Sequence, residues 1–145
     1  MQSKVEYASE IFTDGFNCAQ SVLAAFSEDY GLDKEKALKL SGGLGGGCNL
    51  AELCGAVMCA AMVIGLKHGR YKLEDTDARA ICDANVASFI SEFKKQHVHV
   101  TCRDLLGYDL TTEEGRARKW AGDRATSPCH GFVCSTVEIL ERLGY

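Results

Sequence analysis

The stretch of sequence that decides the fold is SGGLGGGCNLAELCGAVMC, from Ser41 to Cys59. Five glycines lie between Gly42 and Gly47, three cysteines follow, and an apolar helical pattern continues to about His68. Glycine lets the backbone approach a bulky group closely, and cysteine supplies a soft ligand or a nucleophile. The stretch therefore predicts a cradle for a group that is held by sulfur, with further ligands from elsewhere in the chain.

Length and composition predict one domain over residues 1–145, with 46% hydrophobic residues, 25% charged residues and a formal net charge of −4. No basic block indicates a nucleic-acid partner. The first ten residues lack the pattern of a signal peptide, and the longest apolar run, residues 56–66, is too short to cross a bilayer. We expect a cytoplasmic protein without a membrane partner.

Eight cysteines beside a single proline are the unusual feature of the composition. In a cytosolic chain of this size they favour metal binding or catalysis over a disulfide framework. No Cys-x-x-Cys pair occurs, so the usual spacings of zinc ribbons, thioredoxins and bacterial ferredoxins are absent. Any shared site must be assembled from distant parts of the fold.

Helix start signals recur along the chain, whereas strand signals are nearly missing. The predicted N-caps are Ser3, Asn17, Asp33, Asn49 with Glu52, Thr101, Thr111 and Ser127. A long fifth helix is predicted from about Asp75 to His97, and Trp120 and Tyr108 are expected to be core anchors. The prediction is an all-α bundle of roughly seven to eight helices, with the glycine-rich loop before the central helix. That central helix is rich in small residues, which leaves a homodimer open.

Three cysteines fall in the first turn of three predicted helices: Cys18, Cys102 and Cys129. Free backbone N–H groups at a helix start stabilise a thiolate and lower the pKa of the cysteine. Cys54 lies one turn into the helix after the glycines and joins this group if that helix begins late. These four cysteines are the strongest candidates for a shared site.

The remaining candidates have a weaker argument. Cys59 and Cys82 lie on apolar helix faces, where cysteine is more often an inert core residue. Cys48 and Cys134 have no placement argument of their own. His130, next to Cys129, is a candidate base, although a surface histidine is the more frequent role. His97 and His99 lie just before Cys102 and are candidates for extra ligands or for groups that hydrogen-bond to the ligands, although such histidines are more often solvated at a helix end.

The chain resembles the C_GCAxxG_C_C family, small helical proteins with four cysteines that are named for presumed redox activity. The resemblance rests on DGFNCAQSVLAAF, SGGLGGG with CGAVMC, CRDLLGYDLTTEEGR and PCHGFVCSTVEIL. Matched in order, the family's cysteines are Cys18, Cys54, Cys102 and Cys129, the same four that the helix starts select. Cys59 replaces the final glycine of the family's motif. A related domain in multihaem cytochromes adds weight to electron transfer.

Three functions are consistent with these residues. The leading hypothesis is an iron–sulfur cluster or a related metal site held by Cys18, Cys54, Cys102 and Cys129, with Cys48 and Cys59 as auxiliary candidates. The backbone of Gly45, Gly46 and Gly47 would approach the cofactor, and a redox protein would be the partner. The alternatives are a metal-free thiol–disulfide or persulfide oxidoreductase and a structural zinc protein.

Overall fold

Eight α-helices and no sheet form the structure, a computed structural model that describes residues 1–145. The helices are α1 Lys4–Thr13, α2 Cys18–Ser27, α3 Lys34–Ser41, α4 Gly55–His68, α5 Thr76–His97, α6 Cys102–Leu106, α7 Glu113–Lys119 and α8 Pro128–Arg142. Short 3₁₀ turns, Glu28–Tyr30 and Arg124–Thr126, follow α2 and precede α8. The all-α prediction is confirmed.

Most helix starts are fixed by local side-chain caps, as the sequence predicts. At each of these caps a side-chain oxygen accepts a hydrogen bond from a backbone N–H one turn later, which satisfies a donor that the helix leaves free. The confirmed caps are Ser3 of α1, Asn17 of α2, Asp33 of α3, Thr101 of α6 and Ser127 of α8. For α7 the cap is Thr112 rather than Thr111.

The core lies between α2 and α4, with α1, α5 and α8 packed around them. α2 is buried along almost its whole length, and Phe26, Phe89 and Phe93 are the largest fully buried side chains. Burial of each such ring contributes roughly 1.5–3 kcal/mol. The two central helices therefore hold their first residues, Cys18 and Gly55, in a well-packed frame. None of the helices combines the length and the apolarity that crossing a membrane would need.

The start of α4 differs from the prediction. Asn49 and Glu52 do not cap this helix, which begins only at Gly55 with Cys54 as its N-cap. The preceding residues instead form a left-handed turn, with positive φ at Gly46, Gly47, Cys48, Asn49 and Ala51. Glycine adopts this conformation without a steric cost, whereas each non-glycine residue there carries strain of order 1 kcal/mol. Tertiary contacts outweigh the capping pattern at this position.

An isolated antiparallel bridge between Leu53 and Thr101 joins the segment after the left-handed turn to the segment before α6. The Cys54 N–H donates to Val100 O at 2.8 Å, and the Cys102 N–H donates to Glu52 O at 2.6 Å. This pairing brings two cysteines that are 48 positions apart in the sequence to one edge of the bundle.

Trp120 is not the core anchor that the sequence suggests. Its side chain is 60% exposed beyond the end of α7, whereas Tyr108 is half-buried against a small cluster of Ala51, Cys102 and Leu110. α7 is short and carries charged residues along most of its length, so it offers no apolar face under which an indole could be buried.

Candidate functional site

Four cysteines line one small pocket. Cys18 opens α2, Cys54 precedes α4, Cys102 opens α6 and Cys129 is the second residue of α8. All four are buried, with 5–9% of each residue exposed. The structure therefore brings together the four cysteines that the sequence predicts as a shared site, and each reaches it from the start of a different helix.

Cys18 and Cys54 form a coupled pair at this pocket. A hydrogen bond from the Cys54 thiol is the largest cause that lowers the pKa of Cys18, to about 6. Burial opposes this effect, while the backbone N–H of Gly46 and the ammonium of Lys119 reinforce it. The pKa of Cys54 is raised well above its ordinary value, because its proton is held by Cys18 and because it is buried. Both shifts favour a proton on Cys54 and a thiolate at Cys18.

Cys102 and Cys129 do not have the lowered pKa expected at a helix start. Burial is the largest cause that raises the pKa of both, and it raises that of Cys129 to about 12. The charge of Cys18 also raises both pKa values, and the Lys119 ammonium offsets only part of the total rise. Loss of hydration outweighs the few N–H groups at these helix starts, so the expectation of a low pKa is wrong for these two residues.

The predicted glycines have different roles around the pocket. Gly46 lines it with its backbone, and its φ of 65° lies in the left-handed region. Gly45 and Gly47 do not line it but are needed for packing. A Cβ at Gly45 would lie 2.7 Å from the Asn17 side chain, and one at Gly47 would lie 2.5 Å from the Glu52 nitrogen. Gly45 and Gly47 therefore support the cradle, and Gly46 forms part of its surface.

The other four cysteines lie outside this pocket. Cys48 is exposed in the left-handed turn, and Cys59 is fully buried in α4 with its sulfur 3.9 Å from that of Met62. Cys82 is half-buried against the core, and Cys134 is half-buried 3.8 Å from His130 Nε2. The structure does not bring the auxiliary candidates Cys48 and Cys59 to the pocket surface.

The histidines do not serve the four cysteines directly. His130 Nε2 lies 2.8 Å from Ser9 Oγ on α1, so the ring is turned away from its neighbour Cys129. His97 packs against Phe93 and Phe132 with its Nε2 buried and without a partner, and burial lowers its pKa. The expectation that His97 is solvated at the helix end is wrong, whereas His99 is exposed.

Lys119 is the functional residue that sequence reasoning missed. It lines the four-cysteine pocket and also a second, adjoining pocket, and it lowers the pKa of Cys18. Its ammonium forms no ion pair and lies 5.0 Å from the Trp120 ring centroid. A basic residue at the end of a short polar helix is common, so only its position in the fold, with Nζ 3.7 Å from a Cβ built at Gly46, reveals this role.

Different metal centres need different distances between their ligand sulfurs. No three His, Cys, Asp or Glu side chains are arranged around one point as ligands of a single ion. A tetrahedral zinc–thiolate site would need sulfurs about 3.8 Å apart, since each Zn–S bond is about 2.3 Å. A cluster distributes its thiolates over several irons, so its ligands lie further apart. The four thiols and the apolar walls around them fit a cluster in donor type and number.

Comparison with known proteins gives one match. The family model C_GCAxxG_C_C, described as a putative redox-active protein, matches residues 16–143. No curated protein and no solved structure matches the chain. The match begins just before Cys18 and ends after Cys129, so it contains the whole four-cysteine pocket. The chain therefore belongs to the C_GCAxxG_C_C family.

Proposed function

We propose that this protein is an electron-transfer protein that holds an iron–sulfur cluster on Cys18, Cys54, Cys102 and Cys129. The observation that carries the proposal is the convergence of four buried thiols, from four separate helix starts, on one pocket. Four thiolates are the usual ligand set of [2Fe–2S] and [4Fe–4S] clusters. A cluster uses all four cysteines, including Cys102 and Cys129, whose raised pKa makes them poor nucleophiles.

The charge and polarity around the pocket support the same proposal. Backbone N–H groups at the helix starts and the Lys119 ammonium offset the negative charge that four thiolates bring. Leu105, Leu106 and Phe132 form apolar walls that keep water away from the sulfurs. Hydrogen bonds to sulfur and low solvent exposure are the main means by which a protein sets a cluster's reduction potential.

Anaerobic purification tests the proposal. The expected product is coloured, contains iron and acid-labile sulfide, and loses visible absorption on reduction with dithionite. Serine replacement of each of Cys18, Cys54, Cys102 and Cys129 should reduce the iron content, whereas Cys82→Ser should leave it unchanged because Cys82 lies outside the pocket. A colourless protein that takes up neither iron nor sulfide on anaerobic reconstitution would refute the proposal. Zinc in place of iron by elemental analysis would instead support the structural-zinc alternative.

The Cys18–Cys54 pair favours a second candidate function, a metal-free dithiol–disulfide centre. A neighbouring thiolate and thiol can close a disulfide when an oxidant accepts two electrons and the thiol proton is released to solvent. Thiol counting before and after mild oxidation of the iron-free protein tests this candidate. A reversible loss of two thiols that is abolished by Cys18→Ser and by Cys54→Ser, but not by Cys102→Ser, would favour it over the cluster.

A further inference from the structure

A second, larger pocket that opens to solvent adjoins the four-cysteine pocket. The two pockets share Cys18, Lys119 and Cys129, so a molecule in the second pocket would lie directly beside the sulfurs. The remaining walls include three aromatic rings, those of Phe12, Tyr108 and Trp120.

Trp120 is the most unusual wall of this second pocket. It is the only tryptophan in the chain. Its side chain is 60% exposed and is not part of the packed core. A flat ring that stacks on an indole or meets its edge gains binding free energy beyond that of the area it buries. An exposed indole at the mouth of a pocket therefore suits a planar, conjugated ligand.

The charges in the pocket indicate which polar group such a ligand carries. The Arg124 guanidinium is occupied by the carbonyls of Phe12 and Phe16, and the Asp123 carboxylate accepts the Ala125 N–H. Lys119 has neither an ion pair nor a hydrogen bond, so its ammonium is the one cationic donor of the pocket without a hydrogen-bond partner. The walls carry two cations, Lys119 and Arg124, and one carboxylate, Asp123, so they favour a ligand with an acceptor oxygen over a cation.

We infer that this pocket binds a small, planar, conjugated carbonyl compound whose ring lies against Trp120 and whose oxygen accepts a hydrogen bond from Lys119. The bound ring would contact the walls formed by Cys18 and Cys129, within reach of the redox site. The inference goes beyond the proposed function, because it depends only on the walls of the second pocket and not on the group that the four cysteines hold.

Titration with lumichrome, a flat neutral three-ring compound with ring carbonyls, tests the inference on the purified full-length protein. We expect one molecule per chain, a Kd of about 100 μM or tighter, and quenching of the Trp120 fluorescence. Trp120→Ala and Lys119→Met, measured by calorimetry, should each weaken binding about tenfold or more. Lys72→Met is the matched control, because Lys72 lies 5.4 Å from the Tyr71 ring outside this pocket and should have no effect.

Three results would overturn the inference: no binding at saturating lumichrome, equal weakening by Lys72→Met, or equally tight binding of adamantanone, a ketone that is not flat. Circular dichroism confirms that each variant remains folded, as expected for the exposed Trp120. Iron is measured in the same samples. If lumichrome binds neither iron-loaded nor iron-free protein, the inference about this pocket is wrong and the cluster proposal is unaffected. If lumichrome binds a protein that cannot be loaded with iron, the cluster proposal is wrong and the inference about this pocket holds.

Discussion

Gly55 lies directly against the sulfur of Cys18: a Cβ at position 55 would be only 2.9 Å from Cys18 Sγ. The same Cβ would be 2.8 Å from Leu44 O and 3.1 Å from the Ala19 Cβ. The glycine that follows Cys54 therefore lets the start of α4 approach the start of α2. This close approach is what places the Cys54 thiol beside the Cys18 thiolate.

Replacement of Gly55 by alanine should destabilise the protein by about 1–3 kcal/mol, because the Leu44 carbonyl, the Cys18 sulfur and the Ala19 methyl group would have to move. Urea unfolding measures this loss. Gly65→Ala is the matched control on the same helix, since a Cβ there meets nothing within 4 Å. In a helix interior that control should be neutral or stabilising by up to about 1 kcal/mol. Equal effects of the two substitutions would show that the contact with Cys18 is unimportant.

The Cys18–Cys54 pair predicts a specific pH dependence of stability in the reduced, metal-free protein. Between about pH 6 and 9 the folded chain keeps Cys18 as a thiolate, whereas the unfolded chain binds a proton at this residue. The free energy of unfolding should therefore rise with pH across this window. The contribution of Cys18 to it is lost as pH falls through about 6. Above about pH 9 the raised pKa of Cys54 acts in the opposite direction, because the unfolded Cys54 ionises first.

Cys54→Ala removes the thiol donor and should raise the pKa of Cys18, so the rise in stability with pH becomes shallower. Ultraviolet absorbance of the thiolate measures this pKa, and urea unfolding at several pH values measures the slope. Each unit of restored pKa corresponds to about 1.4 kcal/mol. Cys82→Ala, which lies outside the pocket, should retain the wild-type slope. An unchanged slope in Cys54→Ala would contradict the pairing.

Local signals explain why so much of the fold could be predicted. The caps Ser3, Asn17, Asp33, Thr101 and Ser127 each act within one turn, and the sequence pattern is sufficient to identify them. Asn49 and Glu52 match the same pattern but fail as a cap, because the left-handed turn is fixed by long-range contacts. Those contacts are the hydrogen bonds from the Cys102 N–H to Glu52 O and from the Cys54 N–H to Val100 O, and Gly47 also packs locally on Glu52.

The sequence is sufficient to predict which cysteines line the candidate site, but not the pKa values of those cysteines. Helix starts and the family resemblance both select Cys18, Cys54, Cys102 and Cys129, and these four line one pocket. The pKa of each depends on burial and on non-local neighbours, which no local pattern contains. Lys119 and Trp120 could not be placed for the same reason, since only the position of α7 brings them beside the cysteines.

Asn17 should have a larger effect than an ordinary helix cap. Its side chain accepts the Gln20 N–H at 2.9 Å and also donates to Gly42 O at 3.0 Å, which ties α2 to the glycine loop. Asn17→Ala should cost about 1–2 kcal/mol by urea unfolding and should speed alkylation of Cys18, because the loop that covers the sulfur is released. Ser3→Ala is the matched control: it removes a similar cap from α1 at a cost of about 1 kcal/mol but should leave Cys18 alkylation unchanged.

Val98 offers a stabilising substitution away from the site. It ends α5 with φ 69° and ψ −48°, a conformation that strains a β-branched residue, and its side chain is exposed. Val98→Gly should therefore raise the free energy of unfolding by about 1 kcal/mol, since little burial is lost and the strain is released. His99→Gly is the control, because His99 is also exposed but has no positive φ. There glycine only adds freedom to the unfolded chain, so a small loss of stability is expected. If His99→Gly were the more stabilising of the two, the strain at Val98 would not be a significant cost to the fold.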